Sequence, residues 1–250
     1  MPMEIKYLRV SVTDRCNLRC KYCMPNGIEC VGHKDILSFE EIRQIAACGA
    51  KLGITKIRLT GGEPLARKGC PQLIRMLKEI PGMEKIAMTT NGTLVRAILP
   101  QLVEAGLDEI NISLDTLDAE TFAQITGQDL LPEVLKSIDA SLEAGLKVKV
   151  NAVSMPDTDW RRMVSLAKEK PVDVRFIELM PIGAGKQSKG RSNKELLEEI
   201  SNEYPELQAD NSVHGAGPAV YYKIPGFQGS IGLISAMHGK FCASCNRVRL

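Results

Sequence analysis

Between residues 7 and 177 the chain switches repeatedly between short runs rich in β-branched residues and longer amphipathic stretches. Strand-like runs fall at 7–13, 56–60, 85–88, 109–113, 147–153 and 173–177, with helical spacing at about 38–51, 71–79, 94–105, 134–143 and 159–168. Ser38 followed by Glu40 and Glu41 is a helix start, since a hydroxyl and acidic groups suit the positive end of a helix. Strands separated by single helices pair in parallel through right-handed crossovers, which leaves an α/β doubly wound sheet or a full or partial barrel. With 250 residues and 44% hydrophobic content, the chain can bury a core of that size. After Pro181 the alternation stops. Residues 182–190 read as a mobile glycine- and lysine-rich loop, 193–201 as a helix, and 219–235 as short strands broken by glycine. No internal repeat or low-complexity segment appears.

Three cysteines, Cys16, Cys20 and Cys23, stand within eight residues just after the first strand. Thiolates at this spacing let one loop wrap a soft iron–sulfur assembly. Three ligands for four irons leave one iron open, which reads as chemistry, because electron carriers close a [4Fe–4S] cluster with four cysteines. The bland alternative is a structural zinc loop, although zinc prefers paired Cys-x2-Cys knuckles and four protein ligands. Cys30 is a conceivable fourth ligand, but closing the cluster would remove the open iron. Cys48 and Cys70 read as buried small residues. Near the end, Cys242-x2-Cys245 is a second metal-like pair, open to zinc, a redox dithiol or half of a cluster.

Charge narrows the function classes. A net charge of +2, with 25% charged residues of both signs, gives no general case for nucleic-acid or membrane binding. The first residues lack an apolar signal core, and no run reaches the length of a membrane span, so a cytoplasmic protein is expected. Eight cysteines in that compartment favour metal over disulfides.

Functional groups of parallel α/β folds gather at the carboxyl ends of the strands. Gly61-Gly62-Glu63-Pro64 follows the second strand, and its glycines would let backbone approach a ligand; a glutamate in Glu63's setting is more often structural, and its role stays open. Thr89-Thr90-Asn91-Gly92 and Asn111-Ile112-Ser113-Leu114-Asp115 close the third and fourth; their short polar side chains equally suit helix capping. Arg9, Arg58 and Lys149 lie within strands, where a buried charge needs a partner or a bound anion such as a polyphosphate. Alternation could instead turn some of these cations outward, as expected for Lys147.

The Cys-x3-Cys-x2-Cys loop, with aromatic Tyr22 before its last cysteine, resembles the radical S-adenosylmethionine (SAM) superfamily. Adding Leu59-Thr60-Gly61-Gly62-Glu63-Pro64, Phe176-Ile177-Glu178-Leu179-Met180-Pro181, Gly217-Pro218-Ala219 and Phe241-Cys242-Ala243-Ser244-Cys245-Asn246-Arg247, the chain resembles the GTP 3′,8-cyclase family of molybdenum cofactor biosynthesis. The resemblance implies a partial (β/α)6 TIM-like barrel over residues 1–180. It also implies a C-terminal α+β extension, 181–250, covering the open side and carrying part of a second iron–sulfur site. The implied lyase reaction cleaves SAM reductively at an N-terminal [4Fe–4S] cluster held by Cys16, Cys20 and Cys23. The 5′-deoxyadenosyl radical then takes hydrogen from C3′ of GTP, and attack on C8 yields 3′,8-cyclo-7,8-dihydro-GTP.

Residue by residue, the resemblance makes Tyr22, Gly62, Ser113 and Met180 SAM contacts. It makes Arg9, Arg58, Thr89, Lys149, Arg247, Val248 and Arg249 GTP contacts, with Arg247 and Arg249 assisting the radical addition. Cys242 and Cys245 become two ligands of a second [4Fe–4S] cluster that binds guanine at its open iron. The partners implied are GTP, an electron donor and, downstream, cyclic pyranopterin monophosphate synthase; a homodimer stays open. The family pattern also has a third cluster cysteine a dozen or so residues beyond Cys245 and a tail ending in two glycines. Against it this sequence reads as C-terminally truncated, with its own activity in question. The rivals are a radical SAM enzyme of another substrate class and an inactive metal-binding fragment.

Overall fold

A computed structural model of the chain describes residues 5–27, 32, 35–215, 217–239 and 245–250. Strands β1 (Tyr7–Ser11), β2 (Lys56–Thr60), β3 (Lys85–Thr90), β4 (Glu109–Ser113), β5 (Lys147–Ser154) and β6 (Asp173–Glu178) lie side by side in chain order, all parallel. The crossovers carry helices α1 (Phe39–Lys51), α2 (Cys70–Lys78), α3 (Val95–Glu104), α4 (Ala119–Thr126), α5 (Leu131–Glu143) and α6 (Trp160–Glu169). The α1 start is a full capping box: Glu41 N–H donates to Ser38 Oγ and Ser38 N–H to Glu41 Oε2. Helix α4, starting at Asp118 with its side chain accepting from Thr121 N–H, is an addition to the expected series.

Each strand divides its residues by parity. Leu8, Val10, Ile57, Leu59, Ile110, Val150 and Phe176 alternate on the face against the helices and are almost wholly excluded from solvent. The opposite face carries Arg9, Arg58, Thr89, Asn111, Lys149 and Arg175, so the inside of the barrel is polar. The three expected strand cations all turn inward. Lys147 is two residues from Lys149 and hence on the same face; it is exposed because it stands at the start of β5, which corrects the outward reading.

The C-terminal residues extend this sheet at both edges. β9 (Ser230–Ile234) pairs parallel with β6, after α7 (Asn193–Glu203), and β8 (Val220–Lys223) and β7 (Gln208–Asp210) follow antiparallel. At the other edge β10 (Arg247–Arg249) pairs parallel with β1. The expected division at about residue 180 thus falls between elements that share one ten-stranded sheet. β9 can lie close to β6 because Gly229 has no side chain: a Cβ there would come within 1.9 Å of Val172 O. Cys70 is buried as expected, whereas Cys48 is exposed, on the solvent side of α1 away from buried Ile42, Ala46 and Gly49.

A buried ion cluster ties the lower part of the barrel together. Glu109 Oε2 accepts from Lys56 Nζ at 2.7 Å and lies 3.5 Å from Arg58, while Lys85 stands 3.8 Å from Oε1. Burial would raise the Glu109 carboxyl, but the Lys56 hydrogen bond and the surrounding cations outweigh it and hold it below 4.5. Its contribution is therefore complete above that pH and is lost as the pH falls below it. Glu109→Gln should cost about 3–5 kcal/mol at pH 7 by urea unfolding, since two buried cations lose their counter-charge. The variant's stability should also fall less steeply than the parent's below pH 4.5. A loss under about 1 kcal/mol would mean the cluster is not holding the strands.

Candidate active site

The cysteine loop leaves the carboxyl end of β1 and is built against the loop that follows β2. Gly62 N–H donates to Thr13 O and Glu63 N–H to Arg15 O. A Cβ on Gly61 would stand 2.4 Å from Thr13 O, and one on Gly62 2.3 Å from Arg15 O. What those glycines admit is the chain's own cysteine loop, where the sequence reading placed a ligand. Glu63 is buried and structural: Oε1 accepts from Thr90 Oγ1 at 2.7 Å and Oε2 from Asn91 N–H at 2.7 Å. Asn91 Nδ2 then donates to Asn17 Oδ1 at 2.8 Å and points at Cys16 Sγ, 3.9 Å away. Three strand ends are thereby locked to the first cysteine.

Tyr22, between the second and third cysteines, donates its hydroxyl to Asp115 Oδ2 at 2.6 Å, and Asp115 Oδ1 accepts from Val153 N–H at 2.8 Å. Burial, then the neighbouring Asp115, raises the phenol well above its ordinary range, so it remains a donor. Cys16 and Cys20 are half-buried and Cys23 exposed. Burial pushes the Cys20 thiol up to about 12, with Asp115, Cys23 and Cys16 adding to it, and burial and Cys16 raise Cys23. Three soft donors on one loop suit an assembly of ferric and ferrous irons, because a coordinated thiol is deprotonated outright even where, as at Cys20 and Cys23, the free thiol is raised. Among the described residues no three donors converge on a single ion. A cluster asks instead for single thiolates on separate irons, and three of them fit a four-iron cluster with one iron left open.

A cavity of about 430 Å³ runs inside the barrel. Tyr22, Ser113, Asp115 and Met180 line its upper end, near the cysteine loop; Arg9, Arg58, Thr89, Lys149, Arg247 and Arg249 line the rest. Cys245 lies at the opposite end of β1 from the first cysteine loop, because β10 runs parallel to β1 with Arg247 level with Tyr7. A five-residue strand at about 3.3 Å per residue puts roughly 17 Å between the two ends. Hydrogen bonds from Arg247, with Arg249 adding charge, lower the Cys245 thiol. Cys242 and Cys30 lie outside the described residues.

In register across three adjacent strands, Arg249, Arg9 and Arg58 form a row. Burial lowers the Arg9 guanidinium, and Arg249, Arg58 and Arg247 lower it further against the opposing effect of Tyr7. Arg58 has Glu109, but among the described residues no carboxylate pairs with Arg9 or Arg249. A row of crowded cations in a half-enclosed cavity gives it a field that draws anions.

The Radical SAM superfamily profile matches residues 10–169, and the Molybdenum Cofactor Synthesis C profile matches residues 172–250. The chain is 47% identical over 251 residues to a GTP 3′,8-cyclase of Clostridium perfringens, covering 99% of this chain and 78% of that protein. The chain belongs to the GTP 3′,8-cyclase family. A cyclase of Moorella thermoacetica is 46% identical over 255 residues with the same coverage. Fold likeness extends more widely. Streptococcus suis SuiB bound to S-adenosylmethionine superposes with a TM-score of 0.69 at 19% identity, over 81% of this chain and 48% of that one. Methylornithine synthase superposes with a TM-score of 0.62 at 18% identity, over 81% and 63%. An N-terminal [4Fe–4S] cluster and SAM come with membership of the radical SAM superfamily. No helix among the described residues is long and apolar enough to cross a membrane.

Of the SAM and GTP contacts that the resemblance implies, Gly62 and Val248 do not line the cavity. Gly62 flanks the cysteine loop, and Val248 points to the opposite face of β10 from its two arginines and is 41% exposed. Lys56, Arg175, Tyr221 and His214 do line it and were missed. The signal for Lys56 was available, because it lies two residues before inward-facing Arg58. Gly62→Ala should leave far-UV circular dichroism intact yet cut the iron and sulfide retained after anaerobic reconstitution to well under half. Full iron content in that variant would show that the cysteine loop tolerates displacement.

Proposed function

We propose that the cavity holds GTP between two cysteine-bearing ends, in the orientation that the family's conversion of GTP to 3′,8-cyclo-7,8-dihydro-GTP requires. That conversion opens molybdenum cofactor biosynthesis, with cyclic pyranopterin monophosphate synthase acting next. The N-terminal cluster with SAM supplies, when bound, the 5′-deoxyadenosyl radical that removes the C3′ hydrogen, and the electron comes from an external one-electron donor. Cys16, Cys20 and Cys23 hold that cluster, while Tyr22, Ser113, Met180 and the Gly62 backbone bind SAM beside it. Cys242 and Cys245 contribute two thiolates to a second [4Fe–4S] cluster at the far end, where guanine binds.

The observation that carries this reading is the row Arg249, Arg9, Arg58, whose cations are crowded beyond their carboxylate partners. With Lys149, Thr89 and Arg247 it answers the triphosphate and the guanine. The side chains bind and orient; none is needed as a general base for hydrogen abstraction, and the enclosing wall keeps the radical from water. Arg247 and Arg249 assist the addition to C8 by fixing the purine relative to the ribose.

Two measurements test this. Anaerobic formation of 5′-deoxyadenosine from SAM and a strong reductant should rise when GTP is added to iron-reconstituted protein, and should not rise with ATP. Arg249→Ala should weaken GTP binding by about ten- to a hundredfold, the range for one lost charged hydrogen bond. Unchanged GTP affinity and turnover in that variant would remove Arg249 from the site.

A further inference from the structure

Lys149 is the most deeply buried cation of the cavity wall, and its side chain is 2% exposed. Its ammonium donates to Asp173 Oδ2 and, at 3.1 Å, to the Tyr221 hydroxyl. A lysine has a flexible four-carbon stem, so its direction is set by what it donates to. Both acceptors are held by one further residue, which no motif singled out. His214 Nδ1 stands 3.1 Å from Asp173 Oδ1, the oxygen that Lys149 leaves, and its ring lies flat on the Tyr221 ring, 3.9 Å between centroids at 11°. The other ring nitrogen, Nε2, is 2.9 Å from Asp210 Oδ2 and 3.0 Å from Ser212 Oγ. Asp210 is itself fixed by Ser230 Oγ at 3.1 Å and by Ser212 N–H at 2.9 Å. The histidine is thus anchored from β7 and grips, on its other side, a carboxylate of β6 and a phenol of β8.

We propose that His214 is a positioning residue for Lys149. By holding Asp173 and Tyr221 it fixes the direction of the ammonium. By occupying the second Asp173 oxygen it also shares the carboxylate that would otherwise neutralise Lys149 alone, which leaves the cation available to a nucleotide phosphate. Gly215, Gly217 and Pro218, close after His214 in the chain, also line the cavity. The inference rests on the assignment of Lys149 to substrate binding made above.

Equilibrium dialysis of GTP against the full chain, anaerobic and iron-reconstituted, without SAM or reductant, separates the two. Lys149→Ala should raise the GTP dissociation constant by about tenfold or more, as expected for loss of a charged hydrogen bond. His214→Ala should raise it by about five- to tenfold, and in the Lys149→Ala background should change it by less than about twofold, because the two act as one unit. His214→Gln, which keeps a donor towards Asp173, should recover part of the loss. A His214→Ala variant that binds GTP like the parent, or whose loss adds in full to that of Lys149→Ala, would overturn the positioning role. Unchanged affinity in Lys149→Ala alone would overturn the substrate assignment first, and the inference with it.

Discussion

Parity along the first five parallel strands governs this protein: their buried aliphatic side chains face the helices, and Arg9, Arg58, Glu109 and Lys149 face inward. Parallel barrels usually fill their interior with branched aliphatic side chains in layers. Here the strand–helix interface supplies the burial, with Ile57, Leu59, Ile110 and Val150 fully enclosed, and the interior holds Arg9, Arg58, Lys149 and Arg175 instead. Arg175 is buried with its Nε lacking a partner, and burial lowers its guanidinium. Such an interior is costly to bury, and an anion bound within it would stabilise the barrel by mass action.

Parallel pairing at the sheet edge sets where the first cysteine loop and Cys245 stand relative to each other. β1 carries the first loop at its carboxyl end, and β10, pairing parallel with β1, brings Cys245 to the other. Glu63, Asn91 and Asn17 brace the first loop, while Tyr22 and Asp115 tie it to β4 and β5. Rigid ends at fixed separation are what a radical reaction needs from its protein, since an error of an ångström in placing the reacting atoms is expensive.

Much of this was legible in the sequence. The alternation disclosed the parallel sheet because each of the six strands is long enough to show its character, and the cysteine spacing disclosed the cluster loop. β10 escaped because Arg247-Val248-Arg249 is too short to carry a pattern and was read only as a tail to the cysteine pair. Glycine in a strand pattern signals a break, yet Gly232 sits within β9, where a Cβ would strike Arg175 Cγ at 2.7 Å. Residue type argues for Cys48 in the core, whereas its helical phase decides otherwise. His214 and Asp173 acquire meaning only when β9 joins β8 and β7 to the sheet beside β6, a tertiary fact without a local signature. Val248 shows the converse, a position that matches a motif but whose side chain turns away.

The most direct measurement is isotope transfer from GTP carrying deuterium at C3′, in anaerobic, iron-reconstituted protein with SAM and a reductant. If the inward cations hold GTP with its ribose towards the cysteine loop of β1, deuterium should appear in the 5′-deoxyadenosine released, and replacing Arg9 or Arg249 by alanine should suppress its appearance. Deuterium-free 5′-deoxyadenosine, formed at the same rate with and without GTP, would contradict that placement.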